Sequence, residues 1–175
     1  MPRGRIHNGP MHSPSDDELR RLGETLATAA IDRRLTVVTA ESCTGGWIAK
    51  TLTDLAGSSG WFDCGMVVYS YEAKQAMLGV NPHTLEEHGA VSRETVVEMV
   101  SGALVHSAAT LAVAVTGIAG PTGGTADKPV GTVWIAWKRR GGYPHASVHH
   151  FGGDREAVRR QTVAAALGGL IELTT

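Results

Sequence analysis

Ser42 sits between a β-branched run and two glycines, a placement that makes its hydroxyl a candidate nucleophile. Leu35-Thr36-Val37-Val38-Thr39 leads into Ala40-Glu41-Ser42-Cys43-Thr44-Gly45-Gly46, and an amphipathic stretch from Trp47 to Leu55 follows. This order reads as strand, tight turn and helix. The first backbone N–H groups of a helix lack internal partners and lie at the positive end of its dipole. A hydroxyl placed there adjoins a site for an anion or an oxyanion, with Thr44, Gly45 and Gly46 as the candidate cradle. The same residues also suit a plain helix N-cap, a role that Ser and Thr often fill.

Lys74 is the candidate base. It lies one helical turn beyond Ser70, near the start of an expected helix, where the dipole disfavours a cation and desolvation would lower its pKa. A neutral amine could take the Ser42 proton, the serine–lysine form of nucleophilic catalysis. Taken alone, a single helical lysine also fits a solvated surface residue. Cys43 could compete as nucleophile, but no histidine is placed to pair with it, and a buried, inert thiol is the expectation. Gly117 to Gly124 is glycine-rich without the Gly-Lys-Ser/Thr ending of a phosphate loop or a G-x-G-x-x-G pattern, so it reads as a crossover that permits close approach to a ligand. In His83-Thr84-Leu85-Glu86-Glu87-His88 the spacing does not put both histidines on one helix face, which argues against a zinc site.

The elements that must position these groups follow from patterning. With 175 residues, 42% hydrophobic and 19% charged, the chain suits one soluble domain with a real core. Ser15-Asp16-Asp17-Glu18 is a capping box that should start order, leaving residues 1–14 as a disordered tail. Leu19, Leu22, Leu26 and Ala29 or Ala30 carry a helical stripe to about Asp32. Strands are expected at 35–40, 66–70, 111–116, 130–138 and 145–151, and helices near 45–55, 72–78, 82–88, from Ser92, and over 154–172. Strands alternating with helices, closed by a late antiparallel hairpin, give a single-domain α/β/α sandwich with a mixed, mostly parallel sheet over residues 15–175. In such sheets ligands gather beyond the carboxyl ends of strands, here at Glu41-Ser42, Tyr69-Ser70 and Thr116-Gly117.

A net charge of −1 gives no electrostatic footprint for nucleic acid, and Lys138-Arg139-Arg140 and Arg159-Arg160 read as solvated helix ends or turns. Two cysteines make no disulfide framework, and the absence of a secretory or membrane-spanning run leads to a cytoplasmic expectation.

Several motifs in order carry a resemblance. Ala40–Gly46, Val68-Tyr69-Ser70 with Glu72-Ala73-Lys74, Gly89-Ala90-Val91-Ser92, Thr116-Gly117-Ile118-Ala119-Gly120-Pro121 and Lys128-Pro129-Val130-Gly131-Thr132-Val133 resemble the C-terminal domain of the competence/damage-inducible CinA family, the nicotinamide-nucleotide amidohydrolases or NMN deamidases. The resemblance spans about residues 15–172 and implies the stand-alone form, hydrolysing nicotinamide mononucleotide to nicotinic acid mononucleotide and ammonia with no metal or organic cofactor. It implies Ser42 as nucleophile, Lys74 as general base and Tyr69 as a group that positions or relays the proton. Thr44, Gly45, Gly46, Ser59, Thr116, Gly117 and Arg155 are the implied substrate-binding set, Arg155 facing the phosphate. Phe151-Gly152-Gly153-Asp154-Arg155 is similar to the family's Phe-Gly-Asp-Arg segment with one extra glycine, and Tyr71 stands where relatives commonly carry asparagine. A homodimer is implied as well. The competing expectation is a non-catalytic nucleotide-binding module of the same fold.

Overall fold

Helix α1 (Asp16–Arg33) begins at the expected capping box: the Ser15 hydroxyl accepts the Glu18 N–H at 3.2 Å and the Glu18 carboxylate accepts the Ser15 N–H at 2.7 Å. The computed structural model describes residues 12–175, so most of the expected tail, residues 1–11, lies outside the described part. Strand β1 (Val37–Glu41), helix α2 (Trp47–Thr53), a short 3-10 turn at Ser58–Gly60 and strand β2 (Phe62–Val67) follow. Helices α3 (Tyr71–Leu78), α4 (Pro82–His88) and α5 (Arg93–Val105) lead to strand β3 (Leu111–Gly117). The hairpin of β4 (Thr132–Arg139) and β5 (His145–His150) precedes helix α6 (Arg155–Leu173).

The sheet order is β2-β1-β3-β4-β5. β1 pairs in parallel with β2 and β3, while β4 runs antiparallel to both of its neighbours, so four strands point one way and β4 alone reverses. Alternation along the strands sends different side chains to the two faces. Val37, Leu111, Val113, Val115, Val133, Ile135 and Trp137 face α1, α2 and α6. Val38, Ala40, Ala112, Ala114 and Ala136 face the other way, where small side chains let α5 lie close through Val96, Met99, Val100 and Ala103. The result is the expected three-layer sandwich.

Two glycines inside helices mark close approaches. A Cβ at Gly102 of α5 would overlap the Leu78 carbonyl at the end of α3, and one at Gly169 of α6 would overlap the Trp137 indole. The Trp137 Nε1–H donates to the Ala166 carbonyl at 2.9 Å, so the ring is seated against α6 by both shape and hydrogen bond.

The second strand departs from the expected 66–70. It starts four residues earlier, directly after the Gly57–Gly60 loop, because Phe62, Cys64 and Met66 alternate half-buried against exposed Asp63, Gly65 and Val67, as an edge strand requires. Val68 makes the last bond to β1 through its N–H, and the Val68 carbonyl, Tyr69 and Ser70 have left the ladder. Of the basic clusters, Arg139 and Arg140 are exposed where β4 ends in a turn, as expected, whereas Arg159 and Arg160 are not exposed. Arg140 binds the carbonyls of Leu104, Ser107 and Ala109 at the end of α5, and Arg159 and Arg160 are half-buried beneath Trp47. No described helix is long and apolar enough to cross a membrane.

Candidate active site

The order β2-β1-β3 places a topological switch between β1 and β3. The chain leaves β1 through α2 on one face, and β3 is reached through α3, α4 and α5 on the other, so the loops diverge and open a crevice. Ser42 stands at that point. Its N–H donates to the Val115 carbonyl at 3.1 Å, extending the β1–β3 ladder by one residue, while the Val68 N–H donates to the Glu41 carbonyl at 2.9 Å on the opposite side. Ser42 is thus held between Val68 and Thr116, and it is 8% exposed.

Lys74 enters from α3. Ser70 caps that helix, its hydroxyl accepting the Ala73 N–H at 3.0 Å, which sets Lys74 one turn in with its side chain fully buried. The Lys74 Nζ donates to Ser42 Oγ at 2.9 Å, to the Val68 carbonyl at 2.9 Å and to the Tyr69 carbonyl at 3.1 Å. An ammonium has three N–H groups for those three acceptors. A neutral amine keeps two for the carbonyls and turns its lone pair to the Ser42 hydroxyl, so both protonation states are satisfied in one geometry. Desolvation brings the Lys74 pKa down to about 8. The amine is therefore a base near neutral pH.

The N-cap alternative for Ser42 does not hold. The cap residue of α2 is Gly46, in the left-handed region at φ 98°, with Gly45 at φ 60°, and neither conformation suits a side-chain-bearing residue. Nor are the first N–H groups of α2 free. The fully buried Glu41 carboxylate accepts Ile48 N–H at 2.8 Å, Ala49 N–H at 2.9 Å, the Thr44 hydroxyl at 2.6 Å and the Thr39 hydroxyl at 3.3 Å. The anion site expected at the α2 terminus is filled by the protein's own carboxylate. Glu41→Gln would turn an amide N–H₂ against one of those N–H donors. It is expected to lower the unfolding free energy by roughly 3 kcal/mol, read as a fall in the urea midpoint at constant m. An unchanged midpoint would remove Glu41 from this structural role.

A donor remains elsewhere in the turn. Directly after Ser42, the Cys43 N–H bonds its own thiol, whereas the Thr44 N–H has no acceptor among the described residues. Their peptide carbonyls are both engaged: the Ser42 carbonyl accepts Gly45 N–H at 3.1 Å, and the Cys43 carbonyl accepts Arg159 Nε at 3.1 Å. The Cys43 thiol is buried, and desolvation pushes its pKa up to about 12, which leaves it inert as a nucleophile.

The other expected site residues divide by position. Thr116 is buried beside Ser42, with its hydroxyl donating to the Ala90 carbonyl at 2.8 Å. Gly117 closes β3, where a Cβ would press on Val133 and the Thr132 carbonyl. Thr44 directs its hydroxyl inward to Glu41. Tyr69 offers its carbonyl to Lys74, but its ring is 63% exposed and its phenol oxygen accepts Arg155 Nη2 at 3.3 Å. Arg155, first residue of α6, also donates to the Gly120 carbonyl at 2.7 Å, so it bridges the loops after β2 and β3 at the rim. Tyr71 accepts the Ala90 N–H on its hydroxyl at 3.3 Å. Ser59 is not brought to the others. It precedes the first residue of β2, which pairs with the first residue of β1, so it lies exposed at the amino-terminal edge of the sheet, a strand length from Ser42. Arg159 was missed, since nothing near it in sequence marks it as part of a turn 115 or 116 residues away. It lines a shallow pocket of about 270 Å³ with Thr44, Gly45, Gly46, Trp47 and Lys50.

A hydroxyl facing a buried amine at the carboxyl edge of an open sheet is the arrangement by which serine–lysine hydrolases activate a nucleophile. The chain belongs to the CinA C-terminal domain family, whose profile matches residues 19–174. It is 54% identical over 153 residues to a protein of Escherichia coli strain K12 named nicotinamide-nucleotide amidohydrolase PncC, covering 87% of this chain and 93% of that one. A protein of the same name from Pseudomonas putida is 53% identical over 157 residues, covering 89% of this chain and 94% of that one. Among solved structures, the competence/damage-inducible protein CihA from Agrobacterium tumefaciens superposes with a TM-score of 0.89 at 47% identity, covering 94% of this chain and 99% of the other.

Proposed function

We propose that this chain hydrolyses the carboxamide of nicotinamide mononucleotide, giving nicotinic acid mononucleotide and ammonia, with Ser42 as nucleophile and Lys74 as base. The observation that carries the mechanism is the 2.9 Å contact between Lys74 Nζ and Ser42 Oγ in a buried setting. The likeness to the amidohydrolases carries the substrate.

Neutral Lys74 takes the Ser42 proton as Oγ bonds to the amide carbon, and the carbonyl π pair moves onto oxygen. The Thr44 N–H, unpaired in the turn after Ser42, is the donor for that oxyanion. Collapse breaks the C–N bond, and the Lys74 ammonium returns its proton to the departing nitrogen, which leaves as ammonia. Water then attacks the ester, losing its proton to Lys74. Cleavage of the acyl–Oγ bond, with Lys74 returning that proton to Oγ, restores the serine and the neutral amine and releases the acid. The pyridinium ring withdraws electrons from the carbonyl, and its charge close to Lys74 would favour the neutral amine. Arg155 at the rim is the cation for the substrate phosphate. Nothing beyond water is needed as co-reactant.

The test is a direct assay of both products from nicotinamide mononucleotide. Equimolar ammonia and acid nucleotide are expected, with kcat/KM rising with pH around a midpoint of about 8 as Lys74 loses its proton. A nucleotide-dependent rise in melting temperature with no product would instead make the protein a binding module.

A further inference from the structure

The mechanism uses the turn after Ser42 but does not say what holds it. Three peptide units there run Ser42–Cys43, Cys43–Thr44 and Thr44–Gly45. Internal hydrogen bonds fix the first and third, through Gly45 N–H on the Ser42 carbonyl and Trp47 N–H on the Thr44 carbonyl, each at 3.1 Å. The second has no internal bond on either side. Its carbonyl is held only by Arg159, reaching across from α6 with Nε at 3.1 Å, while Nη2 of the same guanidinium donates to the Thr44 carbonyl at 3.0 Å. The guanidinium carbon also lies 5.2 Å from the centroid of the Trp47 ring, which limits its movement.

In a trans peptide the carbonyl and N–H point in opposite directions. Fixing the Cys43 carbonyl toward Arg159 therefore turns the Thr44 N–H away from α6, and a charged donor on the carbonyl strengthens the N–H of the same amide. Arg159 lines a pocket of its own on the Gly45–Gly46 side and has no hydrogen bond to Ser42 or Lys74.

We propose that Arg159 is a positioning residue. It fixes the peptide between Cys43 and Thr44 so that the Thr44 N–H, in the turn after the nucleophile, is preset for the oxyanion. The inference rests on the hydrolase reading above and extends it to a residue whose hydrogen bonds reach the turn but neither Ser42 nor Lys74.

Arg159→Lys and Arg159→Met test it in the full chain. The lysine keeps the charge but cannot span two carbonyls in one plane, and the methionine keeps much of the apolar stem. In both, kcat for nicotinamide mononucleotide is expected to fall about 10- to 100-fold while KM changes less than about twofold, because the lost interaction acts on the oxyanion. The rise of kcat/KM with pH should keep its midpoint, since Lys74 is untouched. Preference for the amide over the corresponding thioamide nucleotide should shrink, as sulfur tests the donor directly. A merely structural residue would lower the melting temperature without altering that preference. Variants that melt cooperatively with wild-type kcat would overturn the proposal, as would a rise in KM alone, which would make Arg159 a substrate contact. Should the methionine variant fail to fold, the lysine variant decides. Absence of turnover in the wild type is a different result: it defeats the hydrolase reading itself.

Discussion

Ser42→Ala is expected to reduce ammonia release from nicotinamide mononucleotide by roughly 10⁴- to 10⁶-fold, the range found when a hydrolase loses its nucleophile. The loss should fall on kcat, because the oxygen removed forms a bond to substrate only on the way to the transition state. The fold should survive. Ser42 contributes its backbone to the β1–β3 ladder through Val115, which alanine retains, and its side chain makes one hydrogen bond, to Lys74. Ser42 is not among the residues with positive φ, so alanine fits its backbone and the melting temperature should move by only a few degrees. Circular dichroism beside the assay separates the two effects. A variant that is folded and still active at a tenth of the wild-type rate would leave Ser42 without its role.

Lys74→Met carries the second large effect, and it acts on activity and on stability in different ways. Loss of the base should reduce kcat/KM by about 10³-fold or more and abolish its rise near pH 8. Lys74→Arg should not rescue, since a guanidinium cannot deprotonate. For stability, burial holds the folded pKa at about 8, below the 10.5 of an ordinary lysine. Between those two values the unfolded chain carries a proton that the folded chain has lost, so stability rises with pH across that window. Below about pH 8 the full cost of burying the cation is present, about 3 kcal/mol at 1.36 kcal/mol per unit. Methionine pays no such cost but leaves the Val68 and Tyr69 carbonyls without their donor. The signature is therefore the pH dependence: the wild type should gain roughly 2 kcal/mol on the variant between pH 7 and pH 10, read from urea midpoints. A constant difference would mean that Lys74 is not titrating in that window.

What the sequence made legible was whatever depends on neighbours along the chain. The Ser15 capping box, the Ser92 start of α5, the buried run of β3 and the hairpin all rest on local pattern, and the structure has them within a residue or two of expectation. The pairing of Ser42 with Lys74, 32 residues apart, was suggested by the resemblance and by a lysine set early in a helix; the distance needed coordinates. β2 was misplaced because Met66 to Tyr69 is the most apolar part of its region, whereas an edge strand is marked by alternation from Phe62 onward. That shift has a functional meaning: the carbonyls of Val68 and Tyr69, freed from the ladder, hold Lys74. Glu41 looked like part of the catalytic motif and turned out to cap α2 from below, a role visible only once the chain has folded back on it. Arg159 could not be found by any local pattern, because its partners lie on the turn after β1 and it lies in α6.

In the proposed mechanism Ser42 is acylated by substrate with Lys74 as base. The most direct test mixes enzyme with excess nicotinamide mononucleotide, quenches in acid during turnover, and examines the peptide carrying Ser42 by mass spectrometry, with the Ser42→Ala variant treated alike. The account predicts a nicotinate-mononucleotide ester on Ser42, formed with release of ammonia, and neither ester nor turnover in the variant. Wild-type ammonia release with no ester, accompanied by comparable turnover in Ser42→Ala, would contradict it.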